Sequence, residues 1–356
     1  MKVSHSPLSF APDLEYISDA PPEKLLFFDI ETTGLSWRSS HLCLIGMICM
    51  TAETWQLTQI FLESPLEEEK ALHMFLSEIR SRSLLIHYNG NAFDIPYLAG
   101  KCSFYGLDAP FDTKKSLDLY QRLRTFRRLL PLASMKQKDM ESLIGYSRSD
   151  HLKSSQIGNC YRQYLLYKDT EALNLLLLHN RDDLEGMTAI VPLLAMENFF
   201  SRSHEVSLFS ESETEVTFAI TDKPDVPVPL SFSSGRFSLK SRKDQVLLTV
   251  TCVSENLKLF FPNYRDYYYL PDEDMAVHKS VGQFVERSHR KKATPSTCYQ
   301  KKKDIFLPVP PGFALLPLFA ACYGDREQFC LKKELIGKIS LWGEYVSQIL
   351  NYLLRI

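Results

Sequence analysis

The sequence predicts an α/β domain followed by a second, α+β domain. Three observations carry this. Residues 25–62 hold three short runs rich in β-formers, and a stretch with helical spacing and a further buried strand follow them. The segment 114–195 reads as mostly helical. After about residue 200 the texture changes to short β-rich runs, split by polar or Pro-containing turns, and the chain closes on an apolar-faced helix.

Taken in order, residues 1–21 contain Ser, Pro and scattered hydrophobes and read as an N-terminal extension. The first domain covers 22–198 and the second 199–356. Strands are expected at Phe27 to Glu31, His41 to Met50 and Trp55 to Leu62. Glu67 to Arg82 places Ala71, Leu72, Phe75, Leu76 and Ile79 on one helical face. Leu84 to His87 starts another strand, and Leu117-Asp118-Leu119-Tyr120 looks like a strand passing into a helix. In the second domain, runs at 206–209, 216–220, 237–240, 246–252 and 257–261 predict a small antiparallel sheet. From Lys332 onward, Leu335, Ile336, Ile339, Trp342, Tyr345, Val346, Ile349, Leu350 and Leu353 predict one terminal helix, its apolar face read as core.

The chemistry-bearing residues begin with Asp29-Ile30-Glu31. They close the apolar run Leu25 to Phe28 and precede Thr32-Thr33-Gly34-Leu35. A strand alternates its side chains, so Asp29 and Glu31 share one face. Neighbouring carboxylates repel unless a cation neutralises them or one keeps its proton. Hard divalent ions such as Mg²⁺ and Mn²⁺ favour such oxygen donors. A solvated strand face is the bland alternative. Further on, His87-Tyr88-Asn89-Gly90 marks a tight turn in which positive φ is expected. Asp94 follows, either as a helix N-cap or as a further ligand, with Pro96 tolerated in the first turn. Late in the segment, His179 and Asp183 are four apart and share a helix face. The alternative there is an ordinary polar helix start, with Asp182 and Asp183 favouring the N-terminal dipole.

The order D-x-E, then N-G-x-x-x-D, then H-x-x-x-D resembles the DEDD superfamily of 3′–5′ exonucleases. Tyr88-Asn89 through Phe93-Asp94-Ile95-Pro96-Tyr97-Leu98 looks like the second exonuclease motif of family B DNA polymerases. The YprB-type ribonuclease H-like domain is the closer resemblance, through the texture of Ser116 to Tyr120, Met135-Lys136, Met140 to Gly145 and Arg148. It covers about residues 22–195. It implies a ribonuclease H-like mixed sheet flanked by helices, and two divalent ions, Mg²⁺ or Mn²⁺, held by Asp29, Glu31, Asp94 and Asp183. Two ions ~4 Å apart clamp an in-line phosphoryl displacement. The resemblance further implies a bridging Asp29, with Glu31 and Asp183 on the nucleophile's ion and Asp94 on the other.

His179 departs from the family, whose members carry Tyr four residues before the last Asp or His five before it. An imidazole there would orient or deprotonate the attacking water; the alternatives are a phosphate contact or packing. Asp182 competes with Asp183 as the fourth acid. Thr32, Thr33, Leu35 and Asn89 would contact the terminal nucleotide and strand backbone. Asp118 would assist the metal site or cap a helix.

Composition narrows the partners. A formal net charge of −2, from 41 basic and 43 acidic residues, puts any nucleic-acid binding on a local patch. In the second domain, Tyr264, Arg265, Tyr267 to Tyr269, His278, Lys279, Arg287 and His289 to Lys292 are followed by Tyr299 and Lys301 to Lys303. Basic residues interleaved with tyrosines suit single-strand binding, with Arg290, Lys291 and Lys292 the candidates; a solvated loop is the other reading. Neither a signal peptide nor a membrane span is expected. None of the eight cysteines forms C-x-x-C, which suits reduced thiols and a cytoplasmic protein. The expected activity is metal-dependent 3′–5′ hydrolysis of DNA or RNA, acting on a single strand or 3′ end. The rival is an inactive nucleic-acid- or partner-binding protein on the same fold.

Overall fold

The computed structural model describes residues 1–355 apart from 9, 18–19, 222–225, 227 and 243–244. The chain forms two compact units: Met1–Arg127 with Leu132–Met196, and Arg128–Pro131 with Glu197–Ile356.

Among the described residues the first unit carries a six-stranded sheet. Its strands are β1 (Lys2–Pro7), β2 (Leu25–Thr32), β3 (Leu42–Thr51), β4 (Thr54–Phe61), β5 (Leu84–His87) and β6 (Lys115–Asp118). The spatial order is β1-β4-β3-β2-β5-β6. β2, β3, β4 and β1 pair antiparallel, whereas β2–β5 and β5–β6 are parallel, so the sheet is mixed. β1 lies within residues 1–21, so part of the expected extension is an edge strand.

β2 sits centrally and is apolar on both faces. Leu26, Phe28 and Ile30 pack with helices α1 (Glu68–Ser81) and α2 (Asp94–Phe104), through Phe75, Leu76, Tyr97 and Leu98. On the other face, Leu44 and Phe61 pack with Tyr161 and Tyr164 of α5 (Ile157–Tyr167) and Leu173 and Leu176 of α6 (Thr170–Ala189). Two short helices, α3 (Leu119–Leu123) and α4 (Gln137–Leu143), lie between β6 and α5. α6 is one 20-residue helix capped by Asp169, whose carboxylate accepts from the Glu171 and Ala172 N–H groups. Asp182 and Asp183 therefore sit inside the helix, not at its start. α7 (Ala195–Ser201) spans the boundary between the units in sequence.

The second unit carries three antiparallel sheets among its described residues, where one was expected. The first has the order β7 (Val206–Glu211), β8 (Glu215–Ile220), β11 (Gln245–Thr251), β10 (Phe237–Arg242), β9 (Ser231–Ser234). The second is β12 (Val253–Phe260), β16 (Tyr299–Val309), β17 (Gln328–Leu331). The third is β14 (Met275–His278), β13 (Tyr267–Leu270), β15 (Lys291–Lys292), with α8 (Lys279–Gly282) following β14. The expected terminal helix is broken after Ile336 into α9 (Lys332–Ile336) and α10 (Trp342–Leu353), with Gly337 closing α9. The break leaves Ile339 exposed, while Trp342, Tyr345, Val346, Ile349, Leu350 and Leu353 are core as expected. All eight cysteines are free thiols, six of them buried. No helix among the described residues is long and apolar enough to cross a membrane.

Candidate active site

Strand alternation sends Ile30 to the α1/α2 side of the sheet, and Asp29 and Glu31 to the α5/α6 side. Asp29 faces Gly46 across the β2–β3 ladder, and Glu31 faces Leu44, just before a bulge between Glu31 and Thr32. Gly46 has a packing role: a Cβ there would collide with Asn180 Oδ1 and Leu184 Cδ1 of α6. The missing side chain lets α6 lie close to the sheet and bring its polar stripe down to the acids. Asn180, fully buried, donates to Asp29 Oδ2 at 3.1 Å and accepts from Gln59 Nε2 at 3.0 Å.

Asp94 arrives from the other side. It is the first residue of α2, after the cap position at Phe93, and its Oδ1 accepts the Ile30 N–H at 3.3 Å. The carboxylate is thus directed at β2 and does not cap its own helix. The turn before it is set by Asn89, at φ 61°, and not by Gly90. Asp118 braces that turn, accepting from Asn89 N–H at 2.9 Å and Asn91 N–H at 3.2 Å, and it caps α3 through Gln121 N–H. Asp118 itself does not line the cleft.

One cleft of about 910 Å³ is lined by Asp29, Glu31, Thr32, Thr33, Leu35, Asn89, Asp94, His179 and Asp183. These are the first-unit residues favoured from sequence as ligands, catalyst or strand contacts; Asp118 and Asp182, the other acids considered, do not line it. Its far wall is the start of α5, with Ser154, Ser155, Asn159 and the exposed Arg162. Gly158 allows that approach, since a Cβ there would already crowd the Thr33 carbonyl at 3.2 Å. Thr32 Oγ1 donates to the Gly34 carbonyl, and Thr33 Oγ1 accepts the His41 N–H, both at 2.8 Å, so both hydroxyls brace the rim loop. Thr33 keeps its own hydroxyl proton to give. The loop's far end is pinned by buried Glu68, which accepts the Leu42 N–H and pairs with Lys101, 2.9 Å away. Leu35 stands on the rim at 86% exposure.

His179 and Asp183 do share a face of α6, with Nε2 to Oδ2 at 3.4 Å. His179 Nε2 also lies 3.9 Å from Glu31 Oε1. Asp182 points elsewhere: its Oδ2 accepts the Ser149 and Asp150 N–H groups, each at 2.7 Å, and holds a loop in place. That removes it as the fourth acid. The loop sets two side chains against residues of the cleft. Asp150 Oδ2 is 2.6 Å from His179 Nδ1, and Arg148 Nη1 is 2.5 Å from Asp183 Oδ1. Arg148 also forks onto buried Glu141 of α4. Asn180, Asp150 and Arg162 had no signal in the sequence; Arg148 appeared there only as texture.

The acids of the cleft are buried and crowded together. Burial, then the charges of Asp183 and Asp94, push the Asp29 carboxyl well above the carboxylate range. Burial, then Asp29, does the same to Glu31, and burial pushes Asp94 up to about 7. Glu31 is 4% exposed, yet its Oε1 has no hydrogen-bond partner among the described residues. Glu31, His179 and Asp183 each offer one donor atom within 4.8 Å of the others. An orphaned carboxylate oxygen among crowded acids suits a divalent cation.

The first unit has a ribonuclease H-like fold, and a family model described as RNase_H superfamily matches residues 26–195. Among solved structures, the family B DNA polymerase of the hyperthermophilic archaeon Pyrobaculum calidifontis is similar with a TM-score of 0.41 and 15% identity, over 51% of this chain and 26% of that one. The zinc-bound E. coli ExoI–ssDNA complex is similar with a TM-score of 0.31 and 13% identity, over 56% of this chain and 54% of that one. The match thus spans about a quarter of the polymerase and about half of the exonuclease. No curated protein matches the sequence significantly.

Arg290, Lys291 and Lys292 belong to the second unit. Arg290 lies over the Tyr268 ring at 4.7 Å and donates to the Gly282 carbonyl; Lys291 and Lys292 are exposed in β15. Many of the neighbouring tyrosines and lysines are engaged within the unit. Tyr267 stacks on Phe261, Tyr269 and Tyr299 donate to Asp274, and Lys301 pairs with Asp274.

Proposed function

We propose that this protein is a metal-dependent 3′–5′ exonuclease of the DEDD type, YprB-like in its first domain. It would hydrolyse phosphodiester bonds at the 3′ end of a nucleic-acid strand. The observation that carries the reading is the convergence of Asp29, Glu31, Asp94 and Asp183, from a strand and two helices, on one open cleft. Carboxyls this crowded, with one oxygen unpartnered, are matched to cations. Two divalent ions, Mg²⁺ or Mn²⁺, held there by Asp29, Glu31, Asp94 and Asp183, would supply an activated water and offset charge on the scissile phosphate.

The chain's own residues do the rest. Asp29 stands between the two sides of the cleft, oriented by Asn180. Glu31, His179 and Asp183 form the side from which water attacks, and Asp94 the side facing the leaving 3′ oxygen. Thr33 has a hydroxyl proton to donate to a phosphate, and Arg162 offers a positive charge on the opposite wall. Exposed Leu35 wedges against the terminal base, and Asn89 borders the strand's path. We take the unit that carries the six-stranded sheet, β1 (Lys2–Pro7) included, as the catalytic domain and 199–356 as an accessory domain, with Arg290, Lys291 and Lys292 holding the strand. The eight free thiols support a cytoplasmic setting.

The test is digestion of 5′- and 3′-labelled single- and double-stranded DNA and RNA with Mg²⁺ or Mn²⁺. Nucleoside 5′-monophosphates should appear from the 3′ end and vanish in the folded Asp29→Ala/Asp94→Ala variant. Binding of either nucleic acid without degradation would establish the non-catalytic alternative.

A further inference from the structure

Within the cleft, one nitrogen sits among carboxylate oxygens. His179 Nε2 lies 3.4 Å from Asp183 Oδ2 and 3.9 Å from Glu31 Oε1, and one donor atom from each residue falls within 4.8 Å of the other two. Bonds of ~2.1 Å to one cation place neighbouring ligands ~3 Å apart and opposite ones ~4.2 Å apart. Both separations from His179 Nε2, 3.4 and 3.9 Å, lie in that range.

Two of the three donors are held through their other atoms. Asp183 has its other oxygen, Oδ1, held by Arg148 Nη1 at 2.5 Å. His179 has its other nitrogen, Nδ1, against Asp150 Oδ2 at 2.6 Å. Asp150 is itself fixed by the Leu152 N–H at 2.6 Å. Its Oδ2, the oxygen that faces His179, also lies 3.5 Å from Lys138 Nζ. With Nδ1 turned to Asp150, Nε2 is left facing the two acids. Buried Glu31 Oε1 has no hydrogen-bond partner among the described residues, and a cation between the three donor atoms would engage all of them. Metal-ligating imidazoles almost always give their other N–H to a carboxylate or carbonyl, and Asp150 stands in that place beside His179.

We infer that His179 is a direct nitrogen ligand of the cation held by Glu31 and Asp183, with Asp150 as its positioning residue, and that this cation is a transition-metal ion of the Mn²⁺ class and not Mg²⁺. The inference rests on the metal-dependent reading above and replaces proton abstraction as the role of His179. Mg²⁺ takes oxygen ligands almost alone, whereas an imidazole nitrogen favours later divalent metals.

The experiment uses the full chain and Mn²⁺ alone, without nucleic acid. Pulsed EPR on the wild-type protein should show the ¹⁴N coupling of a directly bound imidazole, and His179→Gln should lose it. In competition titrations the wild-type preference for Mn²⁺ over Mg²⁺ should fall on the order of tenfold or more in His179→Gln, with Asp150→Asn weakening Mn²⁺ binding to a lesser extent. Wild-type Mn²⁺ without nitrogen coupling, or coupling that survives in His179→Gln, overturns the inference. The wild-type spectrum decides even where the variants fold poorly. A nitrogen signal without nuclease activity would sink the exonuclease reading alone; activity without the signal would sink this one alone.

Discussion

Asp29, Glu31 and Asp94 hold their protons more tightly in the fold than in the unfolded chain. Raised carboxyl values mean that the folded state binds more protons, so stability falls as pH climbs from about 4, where free carboxyls ionise, through about 7, where Asp94 does. The metal-free protein should melt lower at pH 8 than at pH 5.5. Mn²⁺ should raise the melting temperature more at pH 8 than at pH 6, as thermal melts at matched ionic strength can check; equal shifts would contradict the crowding argument. Asp94→Asn keeps an acceptor for the Ile30 N–H and removes one charge. It should raise the metal-free melting temperature at pH 8 by roughly 2–4 °C and lower kcat by about 10²-fold or more. Asp182→Ala should do the opposite. It strands two N–H groups of the loop that carries Arg148 and Asp150, and should cost about 2–4 kcal/mol in denaturant unfolding. The contrast between Asp182 and Asp183 marks where local reading ends. Spacing from His179 favoured Asp183, which does lie beside it on α6, whereas the partners of Asp182 lie some thirty residues away in sequence. Asp150 and Arg148 were illegible for the same reason, because a loop's long-range contacts leave no period in the chain.

At the scale of elements, α6 and its seat on the sheet decide whether the site forms. The helix approaches because Gly46 lacks a side chain opposite Asp29. Gly46→Ala should push Asn180 and Leu184 outward, cost about 1–3 kcal/mol by overpacking, and weaken Mn²⁺ binding by loosening Asp29. Calorimetric titration beside a thermal melt separates the two effects. Unchanged metal affinity would mean that Asn180 does not position Asp29. The strands around 25–62 and helix α1 were legible because their periods are clean and both flanking turns are polar. Helix α6 was harder: its apolar run Leu175 to Leu178 hides the start, which Asp169 sets further upstream. Likewise the broad apolar stripe after Lys332 concealed a break, since the period survives across Gly337 while the backbone does not.

For the whole molecule, the two units divide the proposed labour. The first supplies the acidic cleft, and the second the exposed Lys291 and Lys292 with Arg290 beside them. Replacing Arg290, Lys291 and Lys292 by Ala should weaken single-strand binding and reduce its salt dependence by roughly one slope unit per lost phosphate contact. Mn²⁺ affinity should be unchanged. An unaltered salt slope would leave the second unit's basic segment a solvated surface. The change of texture near residue 200 announced a second unit. Its division into three sheets was not legible, because short strands give no sign of which partners they choose. The central claim remains the caging of cations by Asp29, Glu31, Asp94 and Asp183. Anomalous diffraction from crystals soaked in Mn²⁺ tests it most directly. Two peaks ~4 Å apart among these four carboxylates are the predicted result; a cleft without Mn²⁺, or ions bound only elsewhere, would contradict it.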